Sequence, residues 1–184
     1  MKELSLNILD IAQNSVKAGA TLVTITVDAQ PAENCLTITV ADNGCGMSEE
    51  FVRRVTDPFT TTRTTRKVGL GIPLFKLSAE QAGGDFSIRS KVGEGTVVTA
   101  RYELDHIDRM PLGDIAGTIS ALVGADPAID FVYEQRVGAE SFVLDTREVR
   151  GILGDVPLDS PEVLLWIREY LSEQITNMKG AEQI

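Results

Sequence analysis

The chain has 184 residues, enough for one ordinary domain or a compact domain with a small appendage, and too few for a large multidomain machine. With 43% hydrophobic and 24% charged residues it has the content of a soluble globular protein with a core to bury, which sets disorder aside. A formal net charge of -10 disfavours a surface built to grip nucleic acid, two cysteines are too few for a disulfide framework, and no apolar run approaches the roughly 20 residues that span a bilayer.

Met1-Lys2-Glu3 leads straight into an amphipathic pattern, so a cytoplasmic chain with no targeting segment and no membrane contact is expected. Leu4, Ile8, Ile11, Ala12 and Val16 recur at helical spacing, and Gly19 follows as the stop, which predicts a helix over Leu4–Ala18. Thr21–Val27 and Leu36–Val40 alternate and are rich in β-branched residues. With Gln30-Pro31-Ala32-Glu33-Asn34 as the turn, they predict an antiparallel hairpin. Glu49–Thr56 is a short helix behind Ser48 as N-cap, and Ile72–Ala82 is another, opened by Gly69-Leu70-Gly71 and closed by Gly83-Gly84. Asp85–Ser90 and Thr96–Leu104 return to strand. Helix, two strands, helix, helix, two strands is an α+β order, with helices on one face of a mixed, mainly antiparallel sheet, and not a doubly wound βαβ repeat.

Beyond residue 104 the texture changes. Leu112–Val123 and Pro161–Ile175 look helical, and Ile129–Gln135 with Ser141–Leu144 look like a hairpin. Residues 1–104 carry 12 acidic and 11 basic side chains, whereas residues 105–184 carry 15 and 6, so the acidity lies in the second part. A boundary near Leu104 is therefore expected, with a first domain over 1–104 and a small acidic α/β unit over 105–184. Leu164, Leu165, Trp166, Ile167 and Leu171 form an apolar stripe that reads either as core or as a docking face for a protein partner.

Chemistry concentrates in the first part. Asp10, Asn14 and Lys17 share one face of the first helix, setting a carboxylate, an amide and an ammonium in one stripe. Asp42-Asn43-Gly44-Cys45-Gly46 follows a strand directly, so a carboxylate at the strand end stands beside glycines that leave room for something flat; such a carboxylate accepts from an exocyclic amine like that of adenine. Gly69-Leu70-Gly71 opens a helix, and helix-terminal amides attract phosphate. Five basic residues between Arg53 and Lys67, among them Arg63, Arg66 and Lys67, face one acidic residue, Asp57. An anion is expected beside them. Taken singly, each motif also reads blandly, as a solvated helix face, a common turn or a charged loop.

Their order is more specific. A helix with Asn14, a strand ending in Asp-x-Gly-x-Gly, Pro58-Phe59-Thr60-Thr61, Gly69-Leu70-Gly71 and then Gly93-Glu94-Gly95-Thr96 resembles the GHKL superfamily of gyrase, heat-shock chaperone, histidine-kinase and mismatch-repair ATPases, over about residues 1–104. The resemblance implies a Bergerat-type two-layer α/β sandwich that binds ATP with Mg2+. It implies that Asn14 binds Mg2+, that Asp42 reads adenine over Gly44 and Gly46, and that Lys17, Lys67, Gly69, Leu70 and Gly71 meet the phosphates. Thr96 would close the adenine site. Hydrolysing members carry a glutamate four residues before the asparagine, where this chain has the shorter Asp10, so ATP binding is expected and strong turnover is not. A signalling protein kinase or regulatory ATPase is the reading the resemblance favours. An ATP-driven conformational or dimerisation switch and a non-enzymatic nucleotide sensor that docks a partner protein are the alternatives. The single histidine, His106, begins His-x-x-Arg-x-Pro-Leu, the spacing of the histidine-kinase phosphoacceptor box, although here it follows the ATP unit; the other reading is a linker histidine with Pro111 starting the next helix.

Overall fold

In the computed structural model, residues 3–56, 70–178, 180, 181 and 184 are described. The amphipathic first segment forms α1 (Leu4–Lys17), with Leu4, Ile8, Ile11 and Ala12 buried, and ends where Gly19 takes φ 74°. The hairpin follows as β1 (Leu22–Gln30) and β2 (Cys35–Asp42), joined by a single 3-10 turn over Pro31–Glu33. α2 (Glu49–Val55) begins where Ser48 Oγ accepts the Phe51 N–H, as its capping position leads one to expect. α3 (Gly71–Gln81), β3 (Phe86–Lys91) and β4 (Gly95–Glu103) complete the first part. Then come α4 (Ile115–Ala125), β5 (Asp130–Val137), β6 (Glu140–Asp145), α5 (Thr146–Leu153) and α6 (Pro161–Asn177).

All six strands belong to one sheet in the order β3-β4-β2-β1-β5-β6, and every neighbouring pair is antiparallel except β1 and β5. Period-two alternation decides which side is covered. Val23, Ile25, Val27 and Ala29 of β1 point into the core, while Thr24, Thr26 and Asp28 stay half-buried on the other face. The inward residues of the sheet join Leu4, Ile8 and Ile11 of α1, Phe75 of α3 and Ile119 of α4 in one apolar cluster. This is the expected α+β sandwich of helices on a mixed, mainly antiparallel sheet.

Residues 105–184 share the one sheet: β5 lies against β1 in parallel register, Val23 opposite Phe131 and Ile25 opposite Tyr133. The second part of the chain departs from expectation in two places. α4 starts at Ile115 and not near Leu112, because the carbonyls of Pro111 and Leu112 accept the N–H groups of Leu4 and Ser5, and Asp114 caps Gly117 N. α5 was not expected at all. Val149, Ile152 and Leu153 stand at helical spacing within it, and its start is fixed by Asp145, whose carboxylate takes the Arg147 N–H, and by Thr146, whose hydroxyl accepts from Phe131 N. The α6 stripe divides: Ile167 and Leu171 are fully buried, with Leu164 against Gly124 of α4, whereas Leu165 and Trp166 are exposed and Trp166 stacks on Tyr170 at 5.2 Å.

Candidate functional site

The sequence-predicted residues come from α1, the end of β2, the start of α3 and the start of β4, and the fold draws these ends together. Asp42 is the last residue of β2 and lies opposite Thr96, the second residue of β4. Its Oδ1 accepts the Gly44 N–H at 2.9 Å, and its Oδ2 accepts the Ser15 hydroxyl at 2.6 Å. A carboxylate has about four acceptor directions. Two are used here, which fixes the group's orientation and leaves one direction free on each oxygen. The carboxylate is thus held from α1 by one side and from its own turn by the other.

The loop after β2 is pinned by backbone as well as side chains. Cys45 N donates to Ala18 O at 2.9 Å, Gly93 N donates to Cys45 O at 2.8 Å, and Asn43 Oδ1 accepts both Thr21 N and Leu22 N. A Cβ on Gly44 would stand 2.9 Å from Ala18 Cβ and 3.0 Å from Asp42 Oδ1, so its absence keeps the approach to the carboxylate clear. Gly46 has a different reason. At φ 67°, a Cβ would lie 1.9 Å from the Lys91 carbonyl, so this glycine lets the loop press against the β3–β4 turn.

Thr96 is buried, and its hydroxyl bonds Ser90 Oγ at 2.8 Å; Ser90 also accepts Met47 N and reaches Gly95 O. On α1, Asp10 and Asn14 are half-buried and Lys17 is exposed in the last turn. Gly71 begins α3 directly beside Asp10: a Cβ there would stand 3.0 Å from Asp10 Cβ. Leu70 is the exposed N-cap of that helix. The expected acid, amide, ammonium and helix N-terminus thus share one region. Lys67 and Gly69, with Arg63, Arg66 and the stretch from Pro58 to Thr65, lie outside the described residues.

Ser15, Ser90 and Asn43 were not singled out by sequence, although they hold the site's geometry. Ser15 left a signal, a hydroxyl on the inward stripe of α1 where Ile8 and Ile11 are apolar, and Ser90 left the same signal on β3 after Phe86 and Ile88. His106 stands in the turn between β4 and α4 and not on a helix, with Nδ1 accepting the Asp108 N–H at 3.2 Å. Arg109 of the same motif clamps that turn, donating to Leu104 O at 2.6 Å and to Ile184 O at 3.0 Å, and its burial lowers the guanidinium below its ordinary value. Pro111 does not begin α4.

Among the described residues no helix is long and apolar enough to cross a membrane, and no cluster of three His, Cys, Asp or Glu side chains forms a metal site.

The family model for "Histidine kinase-, DNA gyrase B-, and HSP90-like ATPase" matches residues 2–106. An uncharacterized sensor-like histidine kinase of Rhizobium meliloti is 36% identical over 103 residues, 53% of this chain and 20% of that protein. The tetrathionate sensor histidine kinase of Salmonella typhimurium is 35% identical over 97 residues, 50% of this chain and 16% of its own length. The chain therefore spans a fifth or less of these relatives. The ATPase domain of Aquifex aeolicus MutL, solved with ADP, superposes with a TM-score of 0.51 at 15% identity, covering 83% of this chain and 69% of that one. At that identity the likeness is one of fold.

Proposed function

We infer the function of this chain from its family: it belongs to the histidine kinase-, DNA gyrase B- and HSP90-like ATPases, through residues 2–106. On that footing it is a cytoplasmic, histidine-kinase-like protein that binds ATP with Mg2+ and acts as a signalling protein kinase or regulatory ATPase. The observation that carries the reading is the Asp42 carboxylate, oriented by Gly44 N and Ser15 Oγ with an acceptor direction free on each oxygen, beside a glycine whose missing Cβ keeps the approach open.

The residues present fit the nucleotide. Asp42 accepts from the adenine amine, Gly44 and Gly46 shape the floor, and Thr96, fixed by Ser90, closes the base side. Asn14, Lys17, Leu70 and Gly71, with Lys67 and Gly69 from the preceding segment, serve the phosphates, and Asn14 supplies the protein's oxygen ligand to Mg2+. When bound, Mg2+ neutralises charge on the phosphate oxygens. Amides at the start of α3 draw the same oxygens, since the first turn of a helix has no internal acceptor for them. Asp10, packed against Gly71, orients the attacking hydroxyl or water and takes its proton at a carboxylate oxygen. Being one methylene shorter than glutamate, it makes a slow base. A protein is the partner or the phosphoryl acceptor, and the exposed Leu165 and Trp166 are apolar surface available to it.

Calorimetric titration of ATP with and without Mg2+, together with release or transfer of label from γ-labelled ATP, tests this. Asn14→Ala should lose the Mg2+-dependent gain in affinity. Asp10→Ala should keep ATP affinity while slowing the γ-phosphate chemistry on the order of 100-fold. Wild-type protein that binds no ATP at millimolar concentration would sink the reading.

A further inference from the structure

Gln135 is the oddity of the second part. Strand alternation puts Phe131, Tyr133, Gln135 and Val137 of β5 on the covered face, and three of the four are the apolar or aromatic residues such a face calls for. Gln135 is fully buried among them, and its Nε2 has no hydrogen-bond partner among the described residues. Its other end is fixed: Tyr133 OH donates to Gln135 Oε1 at 2.7 Å. Complete burial pushes the Tyr133 phenol well above its ordinary value, and the neutral hydroxyl donates to Oε1 with the amide in this orientation. The amide nitrogen is therefore the unpaired end, and a buried donor left unmade costs about 1 to 3 kcal/mol.

Gln135 also lines a cavity of about 290 Å³ between α4, β5 and the far end of α6. Leu112, Ile115, Ala116, Ile175 and Ile184 give it an apolar wall, and Thr176 stands at its exposed edge. That wall is held by main-chain bonds: Leu4 N to Pro111 O, Ser5 N to Leu112 O and Leu112 N to Ile184 O, at 2.8–2.9 Å. The space is thus preformed, as ligand sites usually are, and lies near the lower end of their usual range of roughly 300 to 1,000 Å³. It suits a small organic molecule and not a nucleotide.

We propose that this cavity is a second ligand site, separate from the Asp42 region, for a small uncharged molecule with a branched or compact apolar body and one accepting oxygen, such as an aliphatic amide or ketone, held by Gln135 Nε2. The charge class follows from the lining. The acid in the wall, Asp114, caps α4 and pairs with Arg168 at 2.9 Å, so a carboxylate ligand would meet a carboxylate with its cation already engaged. An ammonium ligand would be desolvated against isoleucine and leucine while facing an N–H donor.

Three isosteric probes decide it on the full chain: isovaleramide, isovalerate and isoamylamine, each titrated while backbone amide signals are followed by NMR. Isovaleramide should saturably shift signals of Leu112–Ala116 and Gln135, with isovalerate and isoamylamine roughly tenfold weaker. The double substitution Tyr133→Phe with Gln135→Met removes donor and acceptor together and should weaken isovaleramide by about the same factor. Thr176→Phe, at the exposed edge, should block it by filling the mouth, and so covers the case in which the double variant does not fold. Equal binding of the three probes, isovaleramide shifts elsewhere or nowhere at tens of millimolar, or undiminished binding by folded Thr176→Phe overturns the proposal.

Discussion

Replacing Asp42 by asparagine changes one atom in the centre of the candidate site, and the structure says which one. Oδ1 must remain an oxygen, because an amide nitrogen there would confront the Gly44 N–H, now bonded at 2.9 Å. The new NH2 therefore takes the place of Oδ2, where the Ser15 hydroxyl donates at 2.6 Å. Ser15 can turn to accept instead, since Ile11 O lies 3.5 Å away as an alternative for its proton, so the fold should lose no more than about 1 kcal/mol. Recognition fares worse. The free acceptor direction at Oδ2 becomes a donor and Oδ1 loses its charge; a hydrogen bond to a charged partner is worth about 1.5 to 3 kcal/mol, so ATP affinity should fall by up to roughly 150-fold, and by roughly 10-fold at the lower figure. Inosine triphosphate carries a carbonyl where ATP carries the amine, and it should gain relative to ATP in the variant. Calorimetry with both nucleotides, alongside thermal unfolding, measures the two effects separately. An Asp42→Asn protein that binds ATP within threefold of wild type, with unchanged preference between the nucleotides, would refute the assignment of the base-reading group.

Two further substitutions address the scaffold. Gly46→Ala should destabilise the protein by about 3 kcal/mol or more, because its Cβ would lie 1.9 Å from a backbone carbonyl at positive φ, whereas Gly93→Ala, also at positive φ but with nothing within 4 Å, should cost only about 1 kcal/mol; equal effects in urea denaturation would mean that the loop is not pinned to the β3–β4 turn. Asp145→Asn keeps a capping side chain at the start of α5 but removes the charge paired with Arg147, and should cost about 1 kcal/mol or less at neutral pH. The Asp145 carboxyl is held below its ordinary value, first by the Arg147 side chain, with burial opposing and the Arg147 N–H adding. Its contribution is therefore complete above the unfolded value of about 3.9 and disappears as pH falls through the lower folded value, so wild type and variant should converge in acid. A gap that persists there would contradict the Arg147 pairing.

Most of the first hundred residues were legible because their signals are local. Apolar spacing gives α1, alternation gives the hairpin, and Ser48 gives the start of α2. The candidate site was read for a different reason: Asn14, Asp42, Gly71 and Thr96 occur in an order that resembles a family's, and order along the chain carries information that no single motif does. What escaped was whatever depends on a partner distant in sequence. Ser15 and Ser90 look like ordinary polar residues until the Asp42 and Thr96 side chains arrive beside them. The start of α4 is moved by the first turn of α1, more than one hundred residues earlier in the chain.

The same limit applies to the way residues 105–184 join the sheet. A change in charge balance is real, but composition reports on surface, while the sheet is decided by inward side chains. Phe131 and Tyr133 are as buried as the β1 residues Val23 and Ile25 that they lie against, so β5 extends the first sheet and needs none of its own. Parallel pairing requires a long crossover, here the whole run from β1 through β2, β3, β4 and α4, and no local pattern announces it. One consequence bears on function. The acidic part is joined to the nucleotide-binding part through a central strand pair and through the Leu4 and Ser5 contacts at the start of α1, the helix that carries Asp10 and Asn14. A partner that engaged residues 105–184 would press on the frame of the site itself and not on a tethered appendage.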